Sequence, residues 1–104
     1  MRKENIIEKN GFRDDRCSTF LVHDTPYLKI LSFNFRAGQE LPLHAHDAEG
    51  QVSIAILAGE GEFLAEGGAL PARAGDVLVC DIARPHGLRA ASDLRALVTI
   101  APPI

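Results

Sequence analysis

The sequence predicts an all-β domain built from short antiparallel strands closed into a sandwich or barrel. Three observations predict it. Strand-like runs of four to ten residues, rich in Val, Ile, Leu and Phe, recur along the chain. Glycine-bearing turns separate them at Gly38, Gly59-Glu60-Gly61, Gly67-Gly68 and Gly75. No window sustains a 3.6-residue apolar period over ten or more residues, so no long helix competes with the strands.

In chain order, residues 1–18 are polar and read as an irregular segment, with Ile6 and Ile7 as its anchors to the body. A single barrel domain then covers 19–104. Thr19 to His23 is the first strand, and Asp24-Thr25-Pro26 turns it. Tyr27 to Arg36 is a longer strand with apolar residues on both faces. That suits one face packed on a second sheet and the other on a partner chain, so a homodimer through this strand and the first is expected. Leu41 to His46 and Val52 to Leu57 follow. Around Gly59-Glu60-Gly61 the chain is expected to fold back as a hairpin with Glu62 to Ala65. Ala69 to Arg73 contains Pro71, which belongs on a sheet edge. Val77 to Cys80 is a strand, and 81–85 a loop. A last hairpin is expected between 87–89 and Leu94 to Ile100, turning at Ala91-Ser92-Asp93. Phe33, Phe35, Ile54, Ile56, Phe63, Val77, Val79 and Val98 are assigned to the core.

The chain of 104 residues is long enough for one domain with a real core. Its net charge of −3, with Arg2 and Lys3 offset by Glu4 and Glu8, argues against nucleic-acid or acidic-membrane surfaces. No apolar run has the length of a membrane span or a signal peptide, so the cytoplasm is the expected compartment. Cys17 and Cys80 are far apart and without CxxC spacing, and read as reduced thiols.

The chemistry-bearing stretch is Leu43-His44-Ala45-His46. On a strand, residues i and i+2 share a face, so the two imidazoles converge, which suits a divalent metal. His86, fixed behind Pro85, is the third ligand candidate. Gln51, Glu49 and Asp47 compete for the fourth position. His23 has no spaced partner and reads as a surface or pocket-rim residue. Tyr27 and Arg89 read as surface or mouth residues. No Ser/His/Asp triad and no Cys with a spaced His is visible, so any catalysis falls to the metal.

Gly38-x5-His44-x-His46-x4-Gln51 resembles the first motif of the cupin superfamily, G-x5-H-x-H-x3,4-E followed by x6-G, with Gly59 one residue late. Gly75-x10-His86 resembles the second, G-x5-P-x-G-x2-H-x3-N, with Asp81, Ala83 and Ala90 at its Pro, Gly and Asn positions. The resemblance spans residues 38–89. It implies an antiparallel double-stranded β-helix, or jelly-roll, barrel. It further implies His44, His46, Gln51 and His86 as ligands of a divalent metal (Fe, Zn, Ni or Mn). It points to an oxygenase or isomerase acting on a small molecule, or to a binding module that uses the metal as an anchor.

Overall fold

The computed structural model describes residues 1–103. A four-residue helix, α1 (Ile6–Lys9), precedes nine strands: β1 (Ser18–Asp24), β2 (Lys29–Phe35), β3 (Glu40–His44), β4 (Gln51–Ala58), β5 (Glu60–Ala65), β6 (Gly68–Arg73), β7 (Val77–Asp81), β8 (His86–Ala90) and β9 (Leu94–Ala101). They form two antiparallel sheets, one ordered β1-β2-β9-β4-β7 and the other β3-β8-β5-β6. Among the described residues no helix is long and apolar enough to cross a membrane.

Strand alternation sets what each sheet turns inward. In the five-stranded sheet the inward rows run across the ladder in register. They are Phe35–Leu94, then Phe33–Ala96–Ile56, then Leu31–Val98–Ile54–Leu78, and last Lys29–Ile100–Val52–Cys80. Phe63, Ala72, Leu88 and Ala90 meet them from the other sheet, and Ile82 joins the core from the loop after β7. The first row closes one end of the barrel with fully buried Phe35 and Leu94. The last row opens at the other.

Two expected hairpins are instead crossings between sheets. β4 and β5 lie in different sheets, as do β8 and β9. The turn residues were read correctly, but they sit at corners where the chain changes layer. Gly59, at φ +83°, makes the first corner, and a Cβ there would run into the Asp93 carbonyl of the second. The Ala91 and Ser92 amides both donate to the Glu60 carbonyl, so the two corners brace each other. Consecutive strands pair only in β1–β2 and β5–β6, the latter with Pro71-bearing β6 on the edge as expected.

Val77 and Val79 are a further correction, being 59% and 60% exposed. β7 is an edge strand whose inward side chains are Leu78 and Cys80. The run Val-Leu-Val-Cys has no polar residue to mark its outer face. Cys17 and Cys80 are both free thiols, and burial pushes the Cys80 thiol up.

The outer face of β2 also differs from expectation. Ser32 and Asn34 point there, and both are buried by the chain's own residues 10–12. The Asn10 amide donates to the Ser32 carbonyl (3.1 Å), and the Asn34 amide donates to the Asn10 and Gly11 carbonyls (2.7 and 2.8 Å). Phe12 lies between two guanidinium groups, Arg36 at 4.9 Å and Arg95 at 4.8 Å from its ring centre. These contacts, and not Ile7, which is 67% exposed, hold the N-terminal segment. The outer face of β2 around Ser32 and Asn34 is therefore covered by the chain itself.

Candidate metal centre

His44, His46 and His86 come together at the open end. β3 and β8 pair antiparallel with His44 directly opposite His86. This depends on a bulge. Leu41 pairs with Leu88 and His44 with His86, so Pro42 and Leu43 together face Gly87. Strict alternation from inward Leu41 would turn Leu43 in and His44 out. The extra residue reverses that parity, leaving Leu43 48% exposed and His44 on the cavity wall. Pro42 has no N–H to give the ladder, which makes it a natural bulge residue. Gly87 is required opposite the bulge, because a Cβ there would lie 2.6 Å from the Leu41 carbonyl oxygen and 3.0 Å from the Leu43 nitrogen. Gly87→Ala should therefore destabilise the fold by about 1–3 kcal/mol, measured by chemical denaturation.

His46 follows the end of β3. Its amide donates to the Ile82 carbonyl (3.1 Å), and the Ile82 amide donates to the Gly50 carbonyl (2.9 Å). The two loops at the mouth are thus tied together by fully buried Ile82, a residue the sequence reading left in a plain loop. Ring centres lie 4.4 Å apart for His44–His86, 5.1 Å for His44–His46 and 6.4 Å for His46–His86.

Two hydrogen bonds fix the tautomers. His44 Nδ1 lies 2.7 Å from the Pro42 carbonyl oxygen, and His86 Nδ1 lies 2.7 Å from that of Arg84. A carbonyl only accepts, so each Nδ1 carries the proton, and in the neutral ring Nε2 keeps its lone pair. This is how metal-ligating imidazoles are usually oriented, with one nitrogen pinned to a backbone acceptor and the other free to ligate.

His86 is 3% exposed. Burial, above all, holds its pKa below the ordinary value of 6.5; donation to the Arg84 carbonyl opposes this, and His44 and His46 add to it. In metal-free protein the consequence has a definite sign. Below pH 6.5 the unfolded chain binds a proton at this position that the folded chain refuses, so stability falls as the pH drops from 6.5 and levels off once the folded ring also protonates. Denaturation in chelator between pH 7.5 and 5.5 should show this slope, and His86→Gln should remove it.

Gln51 is not part of the cluster. Val52, Ile54 and Ile56 take the inward positions of β4, so Gln51 faces outward, its amide 3.4 Å from Asp81 Oδ1 across the β4–β7 pair. With Glu49 it lines a separate outer hollow, and Asp47 is an exposed loop residue. The inward residue at that end of β4 is Val52. No carboxylate or amide side chain stands on this inward row, and the extra residue of β4 between Ile56 and Ala58 accounts for the late Gly59.

The rings line a cavity of about 220 Å³ whose walls are otherwise mainly apolar, among them Leu31, Phe33, Ile54 and Val98. Among its described lining residues there is no carboxylate and no amide side chain. Sequence reading missed Lys29, the charged residue of the lining. It occupies the same alternation as Leu31, Phe33 and Phe35, and a lysine in an otherwise inward apolar series was the available signal. His23 stands apart on β1, where its Nδ1 accepts from Arg2 at 2.9 Å. Tyr27 is 82% exposed. Arg89 faces outward and pairs with Glu40 at 3.0 Å.

The donor set fits a divalent transition metal in its chemistry and in two of its three separations. Imidazole nitrogens bind such an ion at about 2.0–2.1 Å, which puts neighbouring ring centres roughly 4.5–5.5 Å apart. The His46–His86 pair is wider at 6.4 Å. Among the described residues no group of three His, Cys, Asp or Glu side chains is already closed on one point. His46, exposed and beyond the strand end, is the ring with freedom to close the set.

Residues 31–101 match the family described as Cupin domain. No protein of curated function matches the chain. The structure is similar to that of an RmlC-like cupin protein from Desulfovibrio desulfuricans (50% identity, TM-score 0.94, covering 100% of this chain and 99% of that one). It is similar to a conserved double-stranded β-helix protein from Klebsiella pneumoniae (21% identity, TM-score 0.88, covering 98% and 90%). It also resembles a variant of salicylate 1,2-dioxygenase from Pseudoaminobacter salicylatoxidans (19% identity, TM-score 0.74), covering 85% of this chain but only 27% of that one. The last two likenesses concern the fold. With its jelly-roll sheets, its inward histidines and a family match over most of its length, the chain belongs to the cupin family.

Proposed function

We propose that this cupin holds a divalent metal on His44, His46 and His86 and uses it to act on a small molecule in the barrel. The observation that carries the reading is the pair of pinned tautomers: two facing rings, 4.4 Å apart, each with its proton committed to a carbonyl and Nε2 left as a donor. Neutral imidazoles suit Fe, Zn and Ni better than Mn, which prefers oxygen ligands. Such an ion supplies Lewis acidity or, if it is iron, redox chemistry with O2, so the reaction class is an isomerisation or an oxygenation. That a dioxygenase shares the fold supports the second. The chain's own part is to orient the rings, to keep water from the substrate with apolar walls, and to leave the metal without a carboxylate ligand among the described lining residues.

A second reading, binding without turnover, has one observation in its favour. Apart from the three histidines and Lys29, no described residue lining the cavity carries a titratable proton. The test begins with elemental analysis of protein purified without an affinity tag, followed by O2 uptake and product analysis on small phenolic, thiol and diketone substrates. One divalent metal per chain with turnover establishes the enzyme. Ligand binding without turnover establishes the second reading, and protein that takes up no metal overturns the metal-dependent enzyme and favours binding.

A further inference from the structure

We propose that Lys29 makes the cavity selective for a small apolar mono-anion, a carboxylate in chemical class, with the ammonium group as its counter-charge. The inference deepens the function proposed above by naming its substrate class, but its cation is part of the chain and present with or without a metal.

Lys29 begins β2 at the open end, on the inward row with Ile100 and Val52. It is half-buried and lines the cavity. Among the described residues its side chain makes no ion pair within 4.0 Å and no side-chain hydrogen bond. Its ladder partner on β1, Asp24, is exposed and forms no ion pair with it. Among the described residues no carboxylate lines the cavity, and Lys29 is the one lining residue with a permanent charge. A charge set among apolar walls is weakly screened and favours a ligand that neutralises it. The volume, about 220 Å³, limits the ligand's size. An apolar protein cavity of about 150 Å³ takes up benzene. One ring or short chain bearing a single carboxylate therefore fills the space and meets the charge. A dianion would leave one charge unpaired against Leu31, Phe33, Ile54 and Val98.

The test compares benzoate with benzamide, and hexanoate with hexanamide, by calorimetry on the full chain. Each pair is run once in chelator and once with zinc added. Wild-type protein in chelator should bind at least one acid roughly 10- to 100-fold more tightly than its amide, the weight of one hydrogen bond to a charged group. Lys29→Met should abolish that preference, and Lys29→Arg should retain most of it. Acid preference in protein that takes up no zinc overturns the metal reading alone and supports this inference. Zinc uptake without acid preference in chelator overturns this inference alone. Equal binding of acid and amide in both pairs, absence of binding by all four probes, or a preference that survives Lys29→Met, would also overturn it. Because Lys29 is half-buried at the barrel mouth, melting curves of both variants are measured alongside; loss of preference in a folded Lys29→Met with retention in Lys29→Arg is a charge effect, which a purely structural role would not produce.

Discussion

His86→Gln is expected to abolish stoichiometric metal binding while leaving the protein folded. Three features make this the most informative single change at the site. His86 is the most buried of the three rings, at 3% exposure, and so the one whose position is least free. It faces His44 directly across the β3–β8 ladder at a ring separation of 4.4 Å, so removing it leaves His44 paired only with His46, exposed beyond the end of β3. Its Nδ1 proton is committed to the Arg84 carbonyl, so Nε2 is the nitrogen lost to the metal. Residues that merely orient a metal-bound ring are worth roughly 10–100-fold in affinity, and a ligand itself should be worth at least about 100-fold. Glutamine keeps much of the side-chain length, and its amide can still donate toward Arg84, which limits the damage to packing. Metal content by elemental analysis and affinity by competition with a chromophoric chelator check the result. His23→Gln, remote from the cavity on β1, is the control and should bind as wild type does. Undiminished metal in His86→Gln would place the ion elsewhere and end the proposal.

How much of this was legible beforehand depends on the range of the interaction. Strand positions and the His44–His46 pair followed from composition, punctuation and spacing, because these are local signals; that His86 joins the pair was implied by the cupin resemblance. What alternation could not give was parity across an irregularity. The Pro42–Leu43 bulge restores His44 to the inner face, and no rule of period two shows an extra residue. The same kind of error, by one residue, put Gln51 where Val52 stands. Side-chain period is two, so a slip of one residue exchanges inside for outside, and a polar candidate ligand became an outward amide beside Asp81.

The two hairpins that proved to be corners failed for a different reason. A Gly-Glu-Gly turn is compatible with folding back or with crossing to the facing sheet. The choice is made by partners distant in sequence, here the Glu60 carbonyl receiving two amides from the β8–β9 corner. Likewise, the outer face of β2 looked free because Asn10 and Phe12, which cover it, lie more than 20 residues away in an apparently irregular segment.

Phe35→Ala should show the opposite division, a large loss of stability with the site intact. Phe35 is fully buried in the row that closes the barrel, opposite Leu94, and its ring lies 6.0 Å from that of Phe33. Truncating a buried Phe to Ala typically costs about 3–5 kcal/mol, through lost transfer energy and an unfilled cavity. For a domain whose whole stability is of order 5–15 kcal/mol, that is a large fraction. At about 4–8 °C per kcal/mol for a domain of this size, the melting temperature should fall by at least roughly 12 °C. The histidines are at the other end. Between them and Phe35 stand the Phe33 and Leu31 rows, and Phe35 does not line the cavity. Metal per folded chain, measured well below the lowered melting point, should therefore equal that of wild type. The physical basis is that one alternating sheet supplies two separable things: apolar rows that hold the closed end together, and a mouth where the same inward positions carry Lys29 and face the imidazoles. A small stability change would mean that the closed end repacks. Loss of metal from folded Phe35→Ala would mean that strain at the closed end reaches the β3–β8 pair through the core, and that the two ends act as one unit.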